Sequence, residues 1–238
     1  MAEDERALEC DVFLAWGMSS SVPRADEWLT DAERAVRRNL TMPKRASDWR
    51  LGRWVGKEVV RRALHAPELD GPDVEVLASP TGAPTVTVRP VGRWPEVRLS
   101  LSHAWGMGFA AALVGTARIG CDVEALRPRS EAFVADYFTA REANLVREAA
   151  ASDQAAWANL LWSAKESALK VLGEGLRLDT RAVEVTVVDG PFVDGWRAFT
   201  VAMPGGDTLR GHWRVTSGFV WTLAVDVPVG RVEAGPVG

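Results

Sequence analysis

The sequence predicts an α+β protein built as two halves of like plan, and three observations lead there. Segments of strand and helix character follow the order strand, helices, strands, and then repeat it. The change of half falls near Thr116, with no low-complexity linker, so the halves share an interface. At 238 residues, 47% hydrophobic and 25% charged, the chain is long enough and ordinary enough in composition to bury a core. No residue-level repeat marks the second half as a copy of the first. The expected halves are residues 1–116 and 117–238.

Each element has its own local signal. Residues 11–16 (DVFLAW) are apolar, with β-branched and aromatic members, and read as a first strand. A helix is expected from Asp26 to Leu40, capped at Asp26 or Thr30. Pro43 breaks the chain, and a second helix runs from Ser47 to Leu64, ended by His65-Ala66-Pro67. Residues 69–95 are rich in Pro and Gly and read as loops with short strands at 74–77 and 85–88. Strands at 97–101 and 107–114 flank a polar turn, Ser102-His103-Ala104-Trp105-Gly106. A strand at 118–124 opens the second half. Helices at 133–137, 140–151 and 154–172 follow, then strands at 183–188, 196–203, 212–216 and 219–227. The Gly- and Pro-rich tail after Pro228 is expected to be loose.

Bulk charge and cysteine usage exclude several classes. A net charge of -4 and a pI of about 5.5 argue against a uniformly basic nucleic-acid binder. Cys10 and Cys121 lie far apart with no CxxC pair, so a zinc site is not expected. The first ten residues are acidic and lack a hydrophobic signal core. No run of about 18 apolar residues is free of charge, so no membrane span is expected. A reducing cytoplasm is the default compartment.

Against that acidic background, residues 34–62 hold ten basic and two acidic side chains. Arg50, Arg53, Lys57 and Arg61 are spaced to share one helix face, with Leu51, Val55, Val59 and Ala63 opposite. A solvated charged face is the plain reading; a site for phosphates or an acidic protein is the sharper one.

Acidic residues suggest chemistry in two places. Ile119-Gly120-Cys121-Asp122-Val123-Glu124 ends an apolar strand in Asp-x-Glu, and positions i and i+2 of a strand point to one side. Two converging carboxylates repel unless a cation or proton lies between them, and Mg²⁺ takes such ligands together with water and phosphate oxygens. Alone, the pattern is weak. Within the later helix, Trp162, Glu166 and Lys170 share a face at spacings of four. The plain reading of Glu166 and Lys170 is a surface ion pair.

The ordered set of motifs resembles Sfp-type 4'-phosphopantetheinyl transferases. It comprises Leu101-Ser102-His103, then Ile119-Gly120-Cys121-Asp122-Val123-Glu124, then Phe138-Thr139-Ala140-Arg141-Glu142, then Trp162-Ser163-Ala164-Lys165-Glu166-Ser167-Ala168-Leu169-Lys170, followed by Gly173-Glu174-Gly175. The resemblance implies a pseudo-dimer of two α+β halves with coenzyme A in the cleft between them. It implies transfer of the phosphopantetheine arm to a serine of an apo-acyl or peptidyl carrier protein, with release of adenosine 3',5'-bisphosphate. Asp122, Glu124 and Glu166 would hold Mg²⁺; Lys170, and with it Lys165, would meet the diphosphate. Lys44, Arg45, Ser102 and His103 would hold the nucleotide end, with Arg53 in the same basic segment. Glu166 is the candidate general base, with Lys170 and Asp122 beside it in the catalytic set.

The chain departs from the pattern at Gly82-Ala83-Pro84, where the family carries a basic residue between Gly and Pro. The backbone at Gly82 and Pro84 is left to line the nucleotide, with Arg50 or Arg53 as the candidate replacement charge. Val123 is apolar and supplies no ligand, so a water is expected to complete the metal shell. The expected partners are coenzyme A and an acidic carrier protein, with neither nucleic acid nor membrane, acting on a monomer. Two rival readings remain: a Mg²⁺-dependent nuclease using Asp122, Glu124, Lys165 and Glu166, and a non-catalytic coenzyme A-binding module.

Overall fold

In the computed structural model of the chain, residues 9–173, 178–190 and 195–237 are described. Glu174 and Gly175 of the last motif lie outside them. The first half runs β1 (Cys10–Met18), α1 (Asp31–Arg38), α2 (Pro43–Ala63), β2 (Val74–Ala78), β3 (Pro84–Val88), β4 (Val97–Ala104) and β5 (Met107–Val114). The second runs β6 (Ile119–Ala125), α3 (Glu131–Tyr137), α4 (Ala140–Glu148), α5 (Gln154–Leu172), β7 (Glu184–Val187), β8 (Arg197–Ala202), β9 (Thr208–Thr216) and β10 (Phe219–Val225), with β11 (Val229–Pro236) last.

The strands form a sheet of order β11-β1-β5-β4, a sheet of order β6-β10-β9-β8-β7 and a β2-β3 hairpin. Strand periodicity sorts the residues between three cores. Phe13, Ala15, Ala110 and Ala112 meet Leu51, Val55 and Val59 of α2. Leu161, Ala164, Ala168 and Leu169 of α5 are buried with Phe199, Val201 and Ala224 of the second sheet. The alternate residues of both sheets (Val12, Leu14, Phe109, Ala111, Cys121, Val123, Trp221, Leu223) make a third core between the halves.

The halves do repeat at residue level, in a pattern too sparse to see in one dimension. Thr30 caps α1 in a capping box with Glu33; Thr139 caps α4 with Glu142. Thr30 Oγ1 donates to Glu75 and Thr139 Oγ1 to Glu184. Glu33 accepts from the Val76 amide, Glu142 from the Val185 amide. Lys57 then pairs with Glu33 at 2.6 Å, and Lys165 with Glu142 at 2.8 Å.

Four expectations need correction. Pro43 begins α2 at its first turn rather than breaking the chain, because that turn's N–H groups have no partner to lose. Ser102 and His103 belong to β4; the turn is Trp105–Gly106 alone, with φ of 52° and 79°, the two-residue geometry that matches strand twist. The tail is not loose: β11 pairs parallel to β1, and Val237 is buried.

The basic face of α2 is likewise no open anion site. Arg50 donates to the carbonyls of Pro23, Arg24 and Ala25 and pairs with Asp26. Arg53 reaches Val76 O, Lys57 reaches Gly71 O and Val74 O, and Arg61 reaches Leu69 O. Arg50, Lys57 and Arg61 are consumed in tying α2 to the segments that cross it, whereas Arg53, whose Nε meets Val76 O, also lines a cavity. Among the described residues, no helix is long and apolar enough to cross a membrane.

Candidate active site

β4 and β6 run side by side along the seam between the halves. Ser100 Oγ and Ser102 Oγ accept from the amides of Cys121 and Val123 at 2.9 and 3.3 Å. The residues of β6 that face the inter-half core are Ile119, Cys121 and Val123. The alternate ones, Gly120, Asp122 and Glu124, therefore face α5. Val123 thus points away from the acids, and no ligand position at 123 waits for a water.

Gly120 makes the approach of β6 to α5 possible. A Cβ built there would sit 2.0 Å from Ser167 O. This close contact brings Asp122 under α5. Asp122 is 5% exposed, and its oxygens accept from Ser102 Oγ (2.7 Å), Lys170 Nζ (2.9 Å) and Ser163 Oγ (2.8 Å). Ser163 and Ser167 both bond to Thr222 of β10, at 2.8 and 2.7 Å. Glu124 accepts from Trp162 Nε1 at 2.9 Å and pairs with Arg129 at 2.8 Å.

Glu166 completes the acidic set from α5. Its Oε1 is buried without a hydrogen-bond partner, an uncompensated position for a carboxylate. Burial first, and then the charges of Asp122 and Glu124, push its carboxyl above the ordinary range. Burial and then Asp122 do the same to Glu124. Burial alone would lower the Lys170 ammonium, but Asp122 and its neighbours hold it above its usual value.

Among the described residues, no group of three His, Cys, Asp or Glu side chains is disposed to hold a metal ion. The chemistry of the donor set nevertheless suits a hard divalent cation: three carboxylates in mutual electrostatic reach, one with an orphaned oxygen. The oxygens of Asp122 and Glu124 are engaged by the protein's own donors.

The basic residues gather beside this seam. A cavity of about 600 Å³ is lined by Lys44, Arg45, Asp48, Trp49, Arg53, Gly82, Pro84, Leu101 and His103. His103 Nδ1 lies 4.0 Å from Asp48, which also pairs with Lys44 at 2.6 Å. Burial pushes the His103 imidazole below its usual value, with Asp48 opposing. Arg53 stacks over Trp49 at 4.5 Å, and burial lowers its guanidinium to about 10. Lys170 lines an adjoining cavity of about 410 Å³ that shares Pro84 and includes Ala83.

The geometry can be set beside known proteins. A family model described as the 4'-phosphopantetheinyl transferase superfamily matches residues 118–203, the stretch that carries all three acids and Lys170. Over those residues the chain is similar to that superfamily. Two holo-[acyl-carrier-protein] synthases of Streptococcus agalactiae, from serotype III and serotype V strains, are each 29% identical to it over 92 residues, covering 38% of this chain and 76% of theirs. Among solved structures, the holo-[acyl-carrier-protein] synthase of Helicobacter pylori, in complex with coenzyme A, aligns over 44% of this chain and 99% of its own, at 18% identity and a TM-score of 0.37. That of Thermotoga maritima aligns over 54% of this chain and 74% of its own, at 26% identity and a TM-score of 0.38.

Measured against the superfamily motifs, the structure gathers Ser102, Asp122, Glu124, Glu166 and Lys170 along one seam. It gathers Lys44, Arg45, Arg53, Gly82, Pro84 and His103 around the neighbouring cavity. Lys165 is the exception. It is fully buried, donates to Thr180 O and Val183 O and pairs with Glu142, so it cannot reach a diphosphate at this seam. Sequence reasoning missed Ser163, Thr222 and Arg129. Ser163 was inside a recognised motif, whereas Thr222 and Arg129 carry no local signal.

Proposed function

We propose that this chain is a two-half, Sfp-type transferase that moves the 4'-phosphopantetheine group of coenzyme A onto a serine of an apo-carrier protein, releasing adenosine 3',5'-bisphosphate. One observation supports this above the rest: Asp122, Glu124, Glu166 and Lys170 line a seam that adjoins a basic cavity of nucleotide size. On this reading residues 1–116 and 117–238 are the two halves, with β11 lying back on the first. Both sides of the seam come from a single chain, which supports action as a monomer.

In this mechanism the basic cavity takes the nucleotide end, through Lys44, Arg45, Arg53 and His103. The backbone at Gly82 and Pro84 forms its wall. Asp122, Glu124 and Glu166 are the residues that would hold Mg²⁺, which when bound neutralises charge on the diphosphate. Lys170, fixed by Asp122 and the Cys121 carbonyl, offers a positive charge where the leaving group gains negative charge. Glu166, with its unpartnered Oε1 and a carboxyl pushed above the ordinary range, would accept the serine proton directly or through water. Phosphoryl transfer asks chiefly for such positioning and neutralisation.

An acidic carrier remains the preferred partner. Its support now rests on exposed Lys44 and Arg45 rather than on the face of α2 from Arg50 to Arg61. Two free cysteines, one of them fully buried, support a reducing compartment such as the cytoplasm. The test is mass spectrometry of apo-carrier proteins of fatty acid, polyketide and peptide synthases incubated with the protein, coenzyme A and Mg²⁺. A gain of about 340 Da per carrier, the mass of the arm, is expected. No gain on any carrier, with coenzyme A still bound, would remove the transferase reading. Cleavage of plasmid DNA in Mg²⁺ would favour the nuclease instead.

A further inference from the structure

Arg129 lies just beyond the end of β6, and its side chain is unusually well prepared. Its Nε donates to Asn159 Oδ1 at 2.8 Å, and Nη2 meets Glu124 Oε2 at 2.8 Å. Asn159 is fully buried on α5, and its amide nitrogen is fixed by Arg127 O and Ala155 O, both at 2.7 Å. The guanidinium also stacks over the Phe133 ring at 4.7 Å. A buried amide with every partner satisfied thus aims one cation at one acid of the seam.

Arg129 also has somewhere to go. It lines a cavity of about 550 Å³ between α3, α4 and α5. That cavity gives the guanidinium room to leave Glu124 Oε2.

Formal charges give this arrangement a consequence. Asp122, Glu124 and Glu166 carry three negative charges, and Lys170 and Arg129 carry two positive ones. A divalent ion entering alone turns a site of net charge -1 into +1 inside a part-buried seam, where like charges repel strongly. A diphosphate entering with it restores the negative balance. Without Arg129 the site holds -2, and the divalent ion alone brings it to zero.

We propose that Arg129 is a positioning residue that holds Glu124 in the metal-free protein and competes with the divalent ion, so that the ion binds well only together with a diphosphate ligand. This rests on the assignment of the three acids to a cation site. It makes diphosphate and cation arrival mutually dependent, a coupling that is reciprocal.

The probe is Mn²⁺, followed by the electron paramagnetic resonance signal of the free ion, with and without coenzyme A. Wild-type protein alone is expected to bind Mn²⁺ weakly and to tighten sharply when coenzyme A is added. Arg129→Gln is expected to bind Mn²⁺ alone about tenfold more tightly and to lose most of the coenzyme A effect. Arg129→Met, which keeps aliphatic bulk against Phe133, provides the same reading if the glutamine variant folds poorly, and Arg129→Lys, which keeps the charge, is expected to behave as wild type. Folded Arg129→Gln and Arg129→Met that bind Mn²⁺ alone no better than wild type, with coenzyme A-dependent binding intact, would overturn the Arg129 proposal and leave the cation site standing. No Mn²⁺ uptake by any form, with or without coenzyme A, would overturn both.

Discussion

Lys165 Nζ lies 2.8 Å from Glu142 Oε2 with both side chains fully buried, and Lys57 with Glu33 reproduces the pair at 2.6 Å in the other half. Each lysine also donates to two carbonyls of the segment entering β7 or β2. The two knots do one job: they lock the central helix of each half to the chain that crosses it.

The role of Lys165 is therefore architectural, and its replacement has a distinctive signature. Lys165→Ala leaves Glu142 buried and unpaired and is expected to destabilise the fold by about 3–5 kcal/mol. Below its melting range the variant should keep a near-normal KM for coenzyme A. Lys170→Ala should do the reverse, with kcat/KM falling by about two orders of magnitude or more and a smaller stability change. Urea unfolding with steady-state kinetics on both variants separates the cases. A Lys165→Ala protein of normal stability with a greatly raised KM would return Lys165 to the site.

Gly120 and Gly52 form a contrast that tests the packing of β6 on α5. At Gly120 a Cβ meets the Ser167 carbonyl at 2.0 Å, and backbone cannot step aside. Gly120→Ala is expected to cost about 3 kcal/mol, the upper range for overpacking, and to lower activity by displacing Asp122. At Gly52 in α2 the nearest atom is a Leu101 methyl at 3.8 Å, an ordinary contact. Gly52→Ala is expected to stabilise by about 0.5–1 kcal/mol through helix propensity. Equal urea midpoints for the two variants would contradict the geometry.

The outcome at these residues shows what the sequence could carry. That Asp122 and Glu124 share one side of a strand, and Glu166 and Lys170 one face of a helix, was legible from the strand and helix periods; that the two pairs meet was implied only by the resemblance. Strand and helix identities were legible from the same periods. The charged face of α2 misled, because spacing shows that Arg50, Arg53, Lys57 and Arg61 share a face but not that other chain segments lie across it. Lys165 misled because motif position says nothing of burial. β11 was lost because Gly230 and Gly235 suppress strand propensity, while its pairing with β1 is a contact across the whole chain length. Arg129 acquires meaning only through Asn159, which a distant helix supplies.

His103 allows a pH test whose sign is fixed by its environment. Burial holds its folded pKa below the ordinary value of about 6.5. Between those two values the unfolded chain binds the proton and the native protein does not. Stability contributed by neutral His103 is therefore complete above about pH 6.5 and is lost as the pH falls towards the folded pKa. A phosphate bound against the ring raises that pKa, so binding of adenosine 3',5'-bisphosphate takes up a proton and tightens as the pH falls from about 7.5 to 6. Calorimetry in buffers of different ionisation heat should detect the uptake, and His103→Asn should abolish it. Proton uptake unchanged in that variant would remove His103 from the phosphate site.

Among the described residues, the repeat also locates the position in the first half that is equivalent to the seam. Counting along the helices from Lys57 and Lys165, Glu58 and Arg62 occupy the places of Glu166 and Lys170. Glu58 is neutralised by Arg61 and Arg62, and Arg62 donates to Leu14 O, Gly235 O and Pro236 O. Strand β11 thus lies across the position equivalent to the seam, where the first half has β1 in place of acid-bearing β6. Truncation after Pro228 removes this strand, strips two acceptors from Arg62 and exposes the edge of β1. Loss of Val237 burial alone removes about 1.5–3 kcal/mol, so the truncated protein is expected to melt well below the full chain and to associate through the open edge. Sedimentation and thermal unfolding of the two forms give the answer. A truncated chain that matches the full chain in association state and stability would mean that β11 adds nothing to the closure of the first half.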